Sequence, residues 1–289
     1  MNVTRVEELI EEFDWFDGVY KRDEIEEALT LKEEIIPHLI RILEEVADDP
    51  ARYILEEHYA NTYAVALLAH FQEPTAHLPI IRAFCLPAEQ LDELWGDMVT
   101  ETLPALLFQT CNGQLAAIKE LILDREAPEF VRSAAVDAMT YAVAREAADR
   151  EEVIAFLSSL LTGTEAEADS YFWGSVVSAI SDLHPEGAME AIRKAFAEGL
   201  IPEIFVTLEE IEDDLCRDME EARLLLHTRV DHRIPQDIHA YLSWFACFRE
   251  SAPLPPQPAN CALKAQQNQK KANRAKSKRA KKARKKNRR

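Results

Sequence analysis

Glycine is scarce in this chain. Seven occur among 289 residues, where an average composition of roughly 7% would supply about twenty. Tight β-turns and bulges draw on the positive φ that glycine adopts without penalty, so the shortage disfavours sheets and points to helices. Paired cysteines are also missing. Cys85, Cys111, Cys216, Cys247 and Cys261 form no C-x-x-C spacing and are odd in number. A paired-cysteine zinc site and a disulfide framework are both set aside, and buried, reduced thiols are expected. No window matches the roughly 18 uncharged apolar residues of a membrane span. The opening "MNVTRVEELIEEFDWF" carries acids where a signal peptide would be apolar. A soluble, cytoplasmic protein with no transmembrane segment is the expectation. No Gly-rich phosphate loop, G-x-S-x-G elbow or H-E-x-x-H is present, and no cofactor is implied.

Acid is absent from the last stretch of the chain. All 52 Asp and Glu lie at or before Glu250, so the first 263 residues, with 19 Lys and Arg, carry a net −33. Lys264 to Arg289 carry +14. The overall −19 therefore averages an acidic body and a basic arm of opposite preference: the body repels polyanions and the arm attracts them.

The body is periodic. "IIPHLIRILEE", "LPIIRAF", "LAAIKELIL", "VIAFLSSLL" and "AMEAIRKAF" share apolar residues at helical spacing, and Leu43, Ile81, Ile118, Phe156 and Ile192 follow one another at steps of 38, 37, 38 and 36 residues. A further step lands near Val230, at the end of "TLEEIEDDLCRDMEEARLLLHTRV". Before each member stands a second helical run: "DEIEEALT", "NTYAVALLAHF", "TLPALLFQT", "VRSAAVDAMTYAVA" and "FWGSVVSAISDL". Stacked pairs of this kind join their apolar stripes into one core. The spacing predicts an all-α, HEAT/armadillo-like solenoid of about six helix pairs. Thr30-x-x-Glu33, Thr164-x-x-Glu167 and Thr207-x-x-Glu210 read as capping boxes, and Pro50, Pro74, Pro128 and Pro185 as helix starts. Gly18, Gly113, Gly163 and Gly199 mark breaks, and Trp15, Trp95, Trp173 and Trp244 read as core anchors.

"EFVRSAAVDAM" resembles the second half of a HEAT motif, with Arg132 and Asp137 in the places where HEAT units tie neighbouring turns. From "LIEEFDWF" through "HYANTYAVALLAHF" and "WGDMVTETLPALL" to "TLEEIEDDL" and "YLSWFACF", residues 1 to about 249 resemble a bacterial family of helical proteins defined only as domain of unknown function 1186. The resemblance implies a HEAT-like fold and no activity. Some members end in a SEC-C zinc motif; Cys261 stands alone in that place here, and one thiolate cannot build a four-ligand site.

Three regions follow: an acidic helical-repeat domain over 1–250, a Pro-rich linker over 251–260 and a basic tail over 261–289. "SAPLPPQPAN" has four prolines and no charge, which favours an extended spacer. The tail has no aromatic and almost no aliphatic residue beyond alanine, so it is expected to be disordered, or helical only against a surface that neutralises it. Lys270, Lys271, Arg274, Lys276, Lys278, Arg279, Lys281, Lys282, Arg284, Lys285, Lys286, Arg288 and Arg289 are its polyanion-binding candidates. RNA or the ribosome fits by counterion release; an anionic lipid fits less well, since nothing bulky is available to insert. A nuclear-import reading of "KRAKKARKK" is set aside by the resemblance to a bacterial family.

One cluster has metal-like spacing. In "HTRVDHR", His227 and Asp231 share a helix face, with His232 adjacent, while Arg229 and Arg233 bring positive charge into the same stretch. The leading expectation is a non-enzymatic interaction or scaffold protein, with an acidic helical surface for a protein partner, a basic one by preference, and a basic tail for RNA, ribosome or another polyanion. The alternatives are a metal-dependent enzyme with a site between helix pairs, or a scaffold inhibited by its own tail.

Overall fold

All ten runs with helical spacing form helices. The computed structural model describes residues 4–243 apart from Phe16, Glu57, Asp169, Glu203, Phe205 and Pro235, within one unit spanning Met1–Phe248. The described secondary structure is helical throughout, with no strand. The first half contains α1 (Arg5–Asp14), α2 (Arg22–Thr30), α3 (Lys32–Asp48), α4 (Pro50–Glu56), α5 (Ala60–His70), α6 (His77–Phe84), α7 (Ala88–Trp95), α8 (Met98–Glu101) and α9 (Leu103–Thr110). The second half contains α10 (Ala116–Leu123), α11 (Glu129–Ala144), α12 (Arg150–Ser159), α13 (Tyr171–Asp182), α14 (Met189–Ala197), α15 (Leu208–Leu215), α16 (Met219–Arg233) and α17 (Ile238–Leu242). None of these is long and apolar enough to cross a membrane.

A row of helices packs neighbour to neighbour in chain order: α1 on α5, α5 on α9, α9 on α11, α11 on α13 and α13 on α15. The alternate helices flank that row, with α3 on α5, α6 on α9, α10 on α11 and α12 on α13. Composition explains the division. The flanking helices α3 and α14 have one apolar stripe and a polar back, whereas α5 buries nine of its eleven residues and α11 eleven of sixteen. A helix apolar all round belongs between layers. Small residues make that placement possible: Ala134, Ala135, Ala138 and Ala142 are buried on α11 and let α9 and α13 approach closely.

Helix ends agree in part with the expected punctuation. Thr207 and Glu210 form the capping box, and Thr4 and Glu7 form a second one not anticipated from the sequence. Glu7 and Glu210 each accept the backbone N–H of their threonine, which holds both carboxyls below the ordinary range. Thr30 is not a cap: only Leu31 separates α2 from α3, and the Thr30 hydroxyl donates back to the Glu27 carbonyl. Thr164 lies in a loop and bonds Thr162 and Glu165 instead of a helix N-terminus. Pro50 begins α4, Pro74 begins a short 3-10 turn, and Pro128 and Pro185 stand immediately before helices. Gly18, Gly113, Gly163 and Gly199 all occupy positive φ at breaks.

Two tryptophans anchor the core. The Trp95 indole stacks on Phe84 at 4.2 Å and donates to the Ala83 carbonyl; the fully buried Trp173 donates to the Glu167 carbonyl. Trp15 does not share that role and is 71% exposed, because it caps the end of α1 beyond the buried Val6–Leu9–Phe13 stripe. Trp244 lies outside the described residues. Cys111 is buried and Cys85 half-buried, and burial pushes the Cys85 thiol up to about 11, so it is inert at neutral pH. Cys216 corrects the expectation of buried thiols, being exposed at the end of α15; Cys247 and Cys261 are outside the described residues.

The C-terminal helices break the neighbour-to-neighbour order. The predicted sixth step falls within α16, which packs on α11, and α17 packs on α5. His239 completes the return: Nδ1 lies 2.6 Å from the Tyr20 hydroxyl and Nε2 lies 2.9 Å from Glu26. A purely one-dimensional stack has no such contact between residues so far apart in sequence.

Candidate functional site

The run "TLEEIEDDLCRDMEEARLLLHTRV" forms two helices, α15 and α16. Cys216 ends α15, and Asp218 opens α16 by accepting the Glu220 backbone N–H. The break frees α16 to change direction. Its buried residues are few: Leu226 and Val230, with Ile234 just beyond, an i, i+4, i+8 stripe one residue wide. So thin a stripe leaves much of the attachment to charge.

Three ion pairs join α16 to the row beneath it. Arg145, at the end of α11, meets Asp231 at 2.6 Å. Arg229 pairs with Asp182 at the end of α13. Arg223 reaches Glu146 at 3.4 Å. Asp137 faces the same cluster from the middle of α11. Burial, reinforced by Asp182, pushes its carboxyl up to about 7, against the pull of Arg229 and Arg233. Asp182 is raised by burial too, with Arg229 opposing. The arginines that stood out in "HTRVDHR" are thus the counter-charges of two half-buried acids.

That geometry places the metal-like residues. His227 Nδ1 lies 3.1 Å from one Asp231 oxygen, and Arg145 holds the other oxygen. His232 is exposed on the same helix. Among the described residues no group of three or more His, Cys, Asp and Glu side chains is placed to hold a metal ion. The tail residues from Lys270 to Arg289 and the 251–260 linker lie outside the described residues.

Two arginines fasten neighbouring segments in the same way. Arg132, 3% exposed, donates to the Ile122 and Glu165 carbonyls and lies 3.9 Å from the Phe172 ring centre. Arg150 donates to the Leu183 and His184 carbonyls. Arg132 therefore links neighbouring helix pairs, while its expected companion Asp137 turns toward α16. His184 is buried, with backbone in the left-handed region at φ 56°. Its Nε2 is 3.0 Å from the Arg217 carbonyl, so that nitrogen carries the proton.

Between α16 and the ends of α11 and α13 runs a groove of about 940 Å³. Val143, Ala144, Ala147, Leu183, Met219 and Leu226 make its apolar wall; Glu146, Asp149, Asp182 and Glu220 face it against Arg150 and Arg223. Leu224 on the groove side of α16 is 67% exposed, and its neighbour Leu225 is 50% exposed. Sequence periodicity did not show this groove, since it depends on where α16 comes to rest.

A family model described as "Protein of unknown function (DUF1186)" matches residues 4–249. An "Uncharacterized protein" of Chlamydia trachomatis serovar D is 32% identical over 208 residues, 72% of this chain and 82% of the relative. An "Uncharacterized protein" of Chlamydia muridarum is 31% identical over 208 residues, 72% of this chain and 83% of the relative. No solved structure matches.

Proposed function

The chain belongs to the DUF1186 family, and from that premise we propose a non-enzymatic interaction protein acting in the cytoplasm. Its acidic helical body takes a protein partner rich in positive charge, and its Lys/Arg tail engages RNA, ribosome or another polyanion. The observation that carries this reading is the division of charge, −33 before Leu263 is passed and +14 from Lys264 onward. Surface arrangement supports it. On α15 only Ile211 is buried, and Glu209, Glu210, Glu212 and Asp213 are exposed around it. Repulsion within so acidic a body is relieved when a cationic partner binds.

The metal-dependent alternative gains no comparable support. Zinc or manganese at His227 and Asp231 has to displace Arg145 from the aspartate, and no third ligand stands ready among the described residues.

The test is deletion of residues 264–289. Full-length protein should retain single-stranded RNA in a salt-sensitive manner, and the truncated form should lose that retention with its helical circular dichroism unchanged. Equal RNA retention by the two forms contradicts the role of the tail. Crosslinking followed by pulldown, with and without the tail, identifies the partner of the body. Recovery of acidic proteins alone contradicts the charge argument.

A further inference from the structure

We propose that the groove beside α16 is a docking site for a basic amphipathic segment of a partner protein, one that presents Lys or Arg together with a leucine-sized side chain. This rests on the interaction reading above and adds where the partner binds and what it must look like. Three independent features meet at the groove. The first is size: about 940 Å³ is ample for several side chains and suits a segment better than an ion.

The second is an apolar surface that the fold leaves uncovered. Leu224 stands 67% exposed beside Ala147, Met219 and the buried Leu226, so that an entering apolar side chain covers leucine on one wall and alanine on the other. Burial of such surface supplies the affinity.

The third is charge. Glu146, Asp149 and Glu220 face the groove beside Asp182, which Arg229 already pairs, against the guanidiniums of Arg150 and Arg223. Arg150 is engaged by two backbone carbonyls and by Glu151, and Arg223 reaches between Glu146 at 3.4 Å and Glu220 at 3.9 Å. Those contacts to Arg223 are exposed and weak. A cationic side chain from the partner replaces Arg223 at little cost. RNA and anionic lipid meet net negative charge here and are disfavoured.

The Arg150 contacts to Leu183 and His184 hold the floor, so the site is preformed on that side. The opposite wall, α16, is attached by a narrow apolar stripe and by partly exposed ion pairs, and can shift to fit.

The experiment uses full-length protein and a fluorescein-labelled helical peptide built only of leucine and lysine, read by anisotropy. The expected result is saturable one-to-one binding, weakened at least about tenfold by Ala147→Trp, which fills the groove from an exposed position, and several-fold by Leu224→Gln. Leu78→Gln, an exposed leucine elsewhere, should leave binding unchanged. Circular dichroism of each variant confirms the fold. Unchanged affinity in Ala147→Trp, or equal loss in Leu78→Gln, overturns the groove while leaving a basic partner for the acidic body intact. Equal binding of a peptide with every leucine replaced by glutamine also overturns it, since charge alone then suffices. Absence of binding by either peptide overturns both readings.

Discussion

Two helices of similar length, lying against each other, are held in opposite ways. α11 buries eleven of its sixteen residues, most of them aliphatic or small, between α9, α10 and α13. α16 buries two of fifteen and relies on Arg145–Asp231 and Arg229–Asp182, with an exposed Arg223–Glu146 contact at its rim. The first arrangement is insensitive to salt and intolerant of volume change. The second is screened by salt and tolerates movement. Frame and movable wall therefore sit side by side, and the groove lies between them.

The largest predicted effect breaks the frame. Trp173→Ala removes a fully buried indole and its bond to the Glu167 carbonyl, and should cost about 3–5 kcal/mol in chemical unfolding of the whole body. Leu226→Ala takes one of only two buried side chains from α16 and should cost about 2 kcal/mol, with faster hydrogen exchange confined to α15 through α17. Spread of that exchange into α11 contradicts the division. Arg229→Ala leaves Asp182 without its ion pair and Asp137 with one fewer counter-charge. With both partners of the pair partly exposed, a loss of about 1–2 kcal/mol is expected in the same local readout.

Asp137→Asn sharpens the comparison through pH. The folded carboxyl titrates at about 7, above its ordinary 3.8, so the folded state binds more protons between those values. Stability from this group is fully present below about pH 4 and is lost as pH rises to about 7. The asparagine variant escapes that loss. Its melting temperature should exceed that of the wild type at pH 8 by the equivalent of about 1 kcal/mol, and the difference should shrink at pH 5. A variant less stable than the wild type at pH 8 contradicts the sign. The smallest effect belongs to the punctuation: Thr207→Ala removes the α15 capping box and should cost about 1 kcal/mol.

What could be read from the sequence was whatever local periodicity writes. The runs around Leu43, Ile81, Ile118, Phe156 and Ile192 all form helices, and the break glycines sit at positive φ where a chain reversal needs them. Thr30 failed as a cap because the pattern cannot tell a helix start from a helix end one residue before the next helix. Trp15 failed as an anchor because hydrophobicity alone does not place a residue beyond the end of its stripe. The groove was illegible for a stronger reason. Asp182 and Arg229, or Glu26 and His239, are joined only by the tertiary path of the chain, and no spacing rule links them. A signal was present in "HTRVDHRI", where Arg229 and Arg233 each stand immediately before a stripe residue, Val230 and Ile234. It marked a helix pinned by charge at its flanks.

Hydrogen exchange of the full-length protein at low salt and in about 1 M sodium chloride tests this contrast most directly. At high salt the screening length falls to about 3 Å, which weakens the pins of α16 while relieving self-repulsion of the acidic body. Amides of α16 should exchange faster and those of α11 no faster than before. Equal acceleration in both helices, or an α16 that salt leaves untouched, contradicts a frame held by packing beside a wall held by charge.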